Sequence, residues 1–356
     1  YPAPSGVVAY RLLPGERNRS SIELGFQHVL DSNPRPYSRA FLTRRLLEDR
    51  ASRAVGWIAA DSARYIYGNE ARYQGIGIVP RVEIGARGQL TMYANRYAQR
   101  LQADCGFLPT EGAMPVEPDR LRYLGQPWSR FDTHNSNHGA ILTSRPRTDA
   151  WNLRFSSLVS DVDRPRSDFN MFRDVAANGS AEAVTIIARD RRITSWAHEA
   201  IAARESTFGD HRLGLNVVAR YRDSDYRDPI TQTVELGRVS LFDRPRISEE
   251  PVAPAEPTRT SARVRQMETG ASLRYAHRTG LAASVSARRV FVDESSKATD
   301  RADSARSSAN WLYNASLAAP VTDALTAFVA TTRGIEEAGT APQNAANRFE
   351  VLSPVL

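Results

Sequence analysis

The sequence predicts an all-β chain, a transmembrane antiparallel β-barrel with short periplasmic turns and long extracellular loops. Three observations predict it. Side chains alternate between apolar and polar in one segment after another from Ser20 to Thr331, the period of a strand with one apolar and one wet face. The connections between these segments alternate between short and long, an asymmetry that an outer-membrane barrel has and a soluble sandwich has no reason to keep. The aromatic members of the apolar faces, Trp151, Tyr221, Tyr275, Trp311 and Tyr313, fall toward segment ends with small aliphatic residues between them, as interfacial girdles require.

The first strand sets Ile22, Leu24, Phe26 and His28 against Glu23, Gly25 and Gln27. A turn at Asp31-Ser32-Asn33-Pro34 leads to a second strand over about 37–47, and a few polar residues later a third covers about 51–60. The fourth alternates Ile76, Ile78, Pro80, Val82 and Ile84 with Gly75, Gly77, Arg81 and Glu83, and Gly85-Ala86-Arg87-Gly88 turns tightly into a fifth over 89–99. After a long connection, 100–137, the sixth strand (138–144) turns through 145–149 into the seventh, with Trp151, Leu153 and Phe155 against Asn152, Arg154 and Ser156. A second long polar connection reaches about residue 190. The eighth strand (193–203) turns around Phe208-Gly209-Asp210 into the ninth, with Leu213, Leu215, Val217, Ala219 and Tyr221 on one face.

A third long connection, 223–261, contains the Pro-rich run EEPVAPAEPT, which reads as extended chain. The tenth strand carries Met267, Thr269, Ala271, Leu273 and Tyr275, and the eleventh Ala283, Val285 and Ala287. A shorter loop, 294–307, precedes the twelfth and thirteenth, Trp311 to Leu317 and Leu325 to Thr331, joined through Pro320-Val321-Thr322-Asp323. Connections after even-numbered strands are short and those after odd-numbered strands are often long.

Composition narrows the alternatives. The chain has 356 residues, 41% of them hydrophobic, and a mean hydropathy of −0.45, with no apolar run near the ~20 residues of a membrane helix. A helical membrane protein is excluded, whereas a strand barrel keeps average hydropathy low because half of every strand is polar. The formal charge is +7, but the arginines are spread over every segment rather than gathered on one face, which argues against a nucleic-acid partner. Cys105 is the sole cysteine, so neither a disulfide framework nor a multi-Cys metal site is possible.

No catalytic signature is present, and the chain is expected not to be an enzyme and to carry no cofactor. Gly75 and Gly77 lack the third glycine and helix of a dinucleotide fingerprint. His134 and His138 have no Glu or Cys in support, and no Gly-x-Ser-x-Gly elbow occurs. One cluster does suggest binding. Arg122, Tyr123, Trp128, Arg130 and Phe131 share the long connection after the fifth strand, and aromatic faces beside guanidinium groups suit a planar or anionic chelate. The alternative is that these residues pack the loop or anchor it at the lipid interface.

The string WLYNASLAAPVTDALTAFVATTRGIEEAGTAPQNAANRFEVLSPVL resembles the barrel of bacterial TonB-dependent outer-membrane receptors of the siderophore type, and YPAPSGVVAYRLLP resembles the end of their plug domain. The resemblance implies a 22-stranded barrel, of which about 13 strands are present. It divides the chain into 1–16, the tail of the plug or its connection, and 17–356, a partial barrel. It implies a fragment lacking most of the plug and the C-terminal strands, energised uptake of a ferric siderophore or similar scarce solute, and no catalysis. The implied partners are the TonB system, reached through the missing plug, the solute itself and outer-membrane lipid, in the outer membrane of a Gram-negative bacterium. A passive porin-like barrel and a soluble secreted β-rich binding or adhesion protein stay open as alternatives.

Overall fold

The computed structural model describes residues 18–27, 34–47, 50–62, 71–110, 123–144, 150–229, 231–243, 249–250, 259–298, 301–322 and 324–334. The predicted plug tail lies outside them. Every regular element among the described residues is a strand: β1 (Arg19–Gln27), β2 (Arg35–Leu46), β3 (Ala51–Ser62), β4 (Ala71–Ile84), β5 (Gly88–Gln102), β6 (Cys105–Pro109), β7 (Arg130–Ser144), β8 (Trp151–Ser167), β9 (Phe169–Val175), β10 (Ser180–Ile187), β11 (Arg189–Phe208), β12 (His211–Pro229), β13 (Gln232–Ser240), β14 (Arg259–His277), β15 (Ala282–Ala298), β16 (Arg301–Thr322) and β17 (Leu325–Arg333). Thirteen of them form one antiparallel sheet, the wall, in the order β1-β2-β3-β4-β5-β7-β8-β11-β12-β14-β15-β16-β17. These are the thirteen predicted strands, one for one.

Short turns join β2 to β3, β4 to β5, β11 to β12, β14 to β15 and β16 to β17 at one end of the wall, while at the other end only two residues separate β15 from β16, where a loop over 294–307 was expected. At three of these turns the chain reverses through a left-handed glycine, Gly85 (φ 58°), Gly209 (φ 59°) and Gly280 (φ 92°), a conformation that a Cβ disfavours, and the β2–β3 turn uses Leu47 (φ 53°). At the other end the strands run well past their predicted limits. β12 has 19 residues and β16 has 22, and at ~3.3 Å per residue the latter is roughly 70 Å of extended chain, far more than a bilayer core requires. Polar stretches such as Asp223–Pro229, predicted as connection, are therefore strand.

Register shows why the strands change character part-way along. Tyr221, Met267, Phe291 and Ala309 are successive cross-strand partners on β12, β14, β15 and β16, all on the outer face. Two residues farther from the short turns, the same face carries Asp223, Arg265, Asp293 and Ser307, again in register. Below that boundary β12 presents Leu213, Leu215, Val217 and Ala219, and β14 presents Leu273 and Ala271. Eight steps from Leu213 to Tyr221, at ~3.4 Å each and a tilt of about 40°, give a band about 20 Å high, close to the ~25 Å apolar belt of an outer-membrane barrel. Trp196, Tyr221, Phe291 and Trp311 stand near its upper border, where the Arg289 guanidinium lies 5.4 Å from the Phe291 ring centroid and 5.5 Å from that of Trp311.

The remaining four strands form a second sheet, ordered β13-β10-β9-β6, which was not foreseen. It is a cap built from three long connections at once: β6 comes from the one after β5, β9 and β10 from the one after β8, and β13 from the one after β12. β10 pairs antiparallel with β9 and β13, and β6 pairs parallel with β9. The main cluster of buried apolar side chains sits here, with Leu124, Phe172, Val175, Ala181, Ala183 and Leu241 nearly inaccessible. The wall has one exposed apolar face and one polar face, so among the described residues the cap is where water is most fully excluded.

Candidate functional site

The place where the cap meets the wall is organised by Asp168, whose side chain is fully buried between β8 and β9. Its backbone N–H donates to the Arg130 carbonyl at 2.9 Å, and the Arg130 N–H donates back to Asp168 Oδ2 at 3.0 Å. This reciprocal pair fixes the start of β7. The Arg166 guanidinium donates to Asp168 Oδ2 at 3.3 Å, to the Trp128 carbonyl at 2.8 Å and to Glu250 at 2.5 Å. Arg189 closes the set, binding the other carboxylate oxygen of Asp168 and lying 3.6 Å from Glu250.

Next along β8, on the same inner face as Arg166, the Arg164 guanidinium stacks over the Phe131 ring at 5.3 Å from its centroid. Its cross-strand neighbour Arg191 pairs with Asp228 at 2.6 Å, whereas Arg164 makes no ion pair among the described residues. Four inner-face guanidinium groups, those of Arg164, Arg166, Arg189 and Arg191, thus face three carboxylates, those of Asp168, Asp228 and Glu250, leaving a local excess of one positive charge. The Nε–H groups of Arg130, Arg164 and Arg166 are buried and lack a hydrogen-bond partner. Buried donors of this kind normally find an acceptor, so the site is suited to a ligand that brings anionic oxygens.

Deeper in the interior a second charged array crosses four strands. Arg220 bonds Glu199 at 2.6 Å and Glu268 at 3.3 Å, and Arg288 bonds Glu268 at 2.7 Å. Gly270 makes this possible, because a Cβ there would stand 2.5 Å from both Arg288 Cγ and the Ala287 carbonyl oxygen. Glu268→Ala is expected to cost about 2–3 kcal/mol, below the ~3–5 of a fully buried pair because Arg288 is more than a third exposed. Denaturant titration of the refolded barrel measures it, and Glu268→Gln should recover part of the loss.

Of the sequence-predicted binding residues, Arg122 lies outside the described residues. Tyr123 is buried, and its hydroxyl donates to the Ala103 carbonyl at 2.8 Å while accepting from Asn170 at 3.2 Å. Trp128 lies half-buried just before β7, its carbonyl held by Arg166. Arg130 and Phe131 sit in the first turn-free residues of β7 rather than on a loop. The fold brings Trp128, Arg130 and Phe131 to the Asp168 hub and places Tyr123 behind them as part of the cap. Arg164, Arg166, Asp168 and Arg189 were missed, and the alternation on β8 is the signal that could have found the first two.

Other predicted features resolve simply. Cys105 is in β6, where burial pushes its thiol up to about 12, so it is not a reactive thiolate. His134 and His138 are both on β7, and four strand residues span ~13 Å, too far for one ion. Among the described residues no cluster of three or more potential ligands for a metal exists.

No family model and no curated protein matches the chain. Solved structures do. The chain is similar to BauA, the ferric preacinetobactin receptor from Acinetobacter baumannii, with a TM-score of 0.73 and 11% identity over 94% of this chain and 49% of that one. It is similar to the closed form of Fiu, the ferric-catecholate import receptor from E. coli K12, with a TM-score of 0.75 and 11% identity over 95% and 54%. The ferripyoverdine receptor of the Pseudomonas aeruginosa outer membrane gives 0.71 and 13% over 97% and 45%. At such identities the likeness is one of fold, and the chain spans about half the length of these receptors. The wall has the fold of part of a TonB-dependent receptor barrel.

Proposed function

We propose that this chain is the barrel portion of an outer-membrane receptor that takes up a ferric siderophore or a similarly scarce anionic chelate. In this reading the TonB system supplies the energy through a plug domain, and the apolar band of the wall sits in outer-membrane lipid. The observation that carries the reading is the set of buried, unsatisfied Nε–H donors on Arg130, Arg164 and Arg166, with Arg164 stacked over the Phe131 ring. Ferric chelates present delocalised anionic oxygens, which guanidinium groups hold by charge-assisted hydrogen bonds, and flat ligand faces, which aromatic rings and guanidinium planes stack against. Trp128, Arg130 and Phe131 contact the chelate, and Tyr123 positions the cap behind them.

The test uses the complete protein in detergent, titrated with ferric catecholate and ferric hydroxamate chelates while tryptophan fluorescence is followed. One chelate is expected to bind, and Arg164→Ala and Phe131→Ala are each expected to weaken it at least tenfold, or ~1.4 kcal/mol. Both variants should still migrate as folded barrels in unheated gels. Unaltered affinity in both would remove this site from the reading, and ion conductance without any chelate binding would replace it with a passive porin.

A further inference from the structure

The end of the wall remote from the cap carries an unrelated constellation. His211 opens β12 and His277 closes β14, and the two are direct cross-strand partners. Their ring centroids are 4.8 Å apart with the planes inclined at 47°. His211 Nδ1 lies 2.9 Å from the Tyr275 hydroxyl, and His277 Nδ1 lies 2.8 Å from Thr279 Oγ1.

We propose that His211 and His277 form a two-imidazole site for a divalent transition-metal ion such as Cu2+, Zn2+ or Ni2+, on the short-turn rim of the wall. The spacing is the first argument. A nitrogen–metal bond of ~2.0–2.1 Å puts the ion about 3.2 Å from each ring centroid. Two centroids 4.8 Å apart then subtend about 100° at the ion, between the square-planar and tetrahedral angles. The second argument is the polar neighbours. With Nδ1 of each ring engaged by a hydroxyl, Nε2 is the nitrogen left for the ion, and hydrogen-bonded partners of this kind orient ligating histidines. His277 Nδ1 also lies 3.3 Å from the Thr279 N–H; the metal-bound tautomer gives up this longer contact and donates to the Thr279 hydroxyl.

The third argument is rigidity. The pair belongs to a ladder of backbone hydrogen bonds, and the adjoining turn is pinned by Arg278 N–H to the Asp210 carbonyl at 3.0 Å, by His277 N–H to the Leu281 carbonyl at 2.8 Å and by an Arg278–Asp210 ion pair at 3.1 Å. Both rings are therefore held before the ion arrives, which lowers the ordering cost of binding. Nitrogen donors without thiolates suit these ions rather than Cu(I), Mg2+ or Ca2+, and water completes the coordination. The site is at the opposite end of the wall from the chelate site and does not depend on it.

The experiment titrates chelator-stripped complete protein in detergent with Cu2+ and Zn2+, followed by calorimetry and, for Cu2+, by electron paramagnetic resonance. The expected result is one ion per chain with hyperfine coupling to two nitrogens. His211→Ala and His277→Ala should each weaken binding at least tenfold and leave one coupled nitrogen. Tyr275→Phe should weaken it about tenfold, the lower end expected of an outer-shell partner, and His198→Ala should leave it unchanged. Gel migration of the unheated samples confirms that each variant is folded. Wild-type protein that takes up no ion, or a loss in only one of the two histidine variants, or in neither, overturns the proposal.

Discussion

Replacing Asp168 by Ala is expected to detach the cap from the wall, at a local cost of about 3–5 kcal/mol, the range for removing one partner of a buried ion pair. The residue has no accessible side-chain surface and answers Arg166, Arg189 and the Arg130 N–H together. Removing it leaves two guanidinium groups, 14% and 19% exposed, with Glu250 as their remaining carboxylate. The wall ladder between β7 and β8 does not pass through this carboxylate, so the barrel should still assemble. Hydrogen exchange separates the two responses: amides of β9 and β10 should lose protection while those of β11 and β12 keep it. Asp168→Asn, which retains an acceptor without its charge, should fall between. Uniform loss of protection over both sheets would show that the cap and wall are one cooperative unit instead.

The second large effect concerns lipid. Val217 is at the middle of the apolar band on the outer face, with Ala202 and Ala271 beside it in register. Val217→Arg should destabilise the protein by about 2–4 kcal/mol, the penalty of a cation at the midplane on a barrel's lipid face. Ala305→Arg, on the same face of the wall in β16, two residues beyond the row of Asp223 and Ser307, should change little. Denaturant titrations in liposomes give both values. Equal costs at the two positions would mean that the band does not mark the bilayer.

Much of the wall was legible because a sheet with one apolar and one polar face writes that division into every strand. Leu213, Leu215 and Val217 lie on the apolar face while Gly214 and Asn216 lie on the other, and that alternation is visible with no knowledge of the partners. The upper halves of the strands were not legible. Above the band both faces of Arg222–Pro229 meet water or charge, so no period of two survives. The cap was hidden for the opposite reason: Ala183, Val184 and Thr185 are consecutive and all buried, and a short strand covered on both faces has no alternation either. The candidate site was half legible. Trp128, Arg130 and Phe131 stand close in sequence, but Arg164 and Arg189 are 25 residues apart and converge only once β8 and β11 are in register.

The cap has a consequence for how the connections of such a protein can diverge. Surface loops ordinarily diverge one at a time, because each is tied only to the strands it joins. Here β6, β9 and β10, and β13 are contributed by three connections and share one sheet. Replacing the β9–β10 connection would strip both edge strands of their neighbour, replacing β6 or β13 would leave an edge of β9 or β10 unpaired, and any of these would open the cluster around Phe172 and Leu241. The three are therefore a single heritable module. The cap can change either by exchanging all three together or by substituting side chains around an unaltered sheet, and a loop-swap series in this protein should give folded protein only in those two ways.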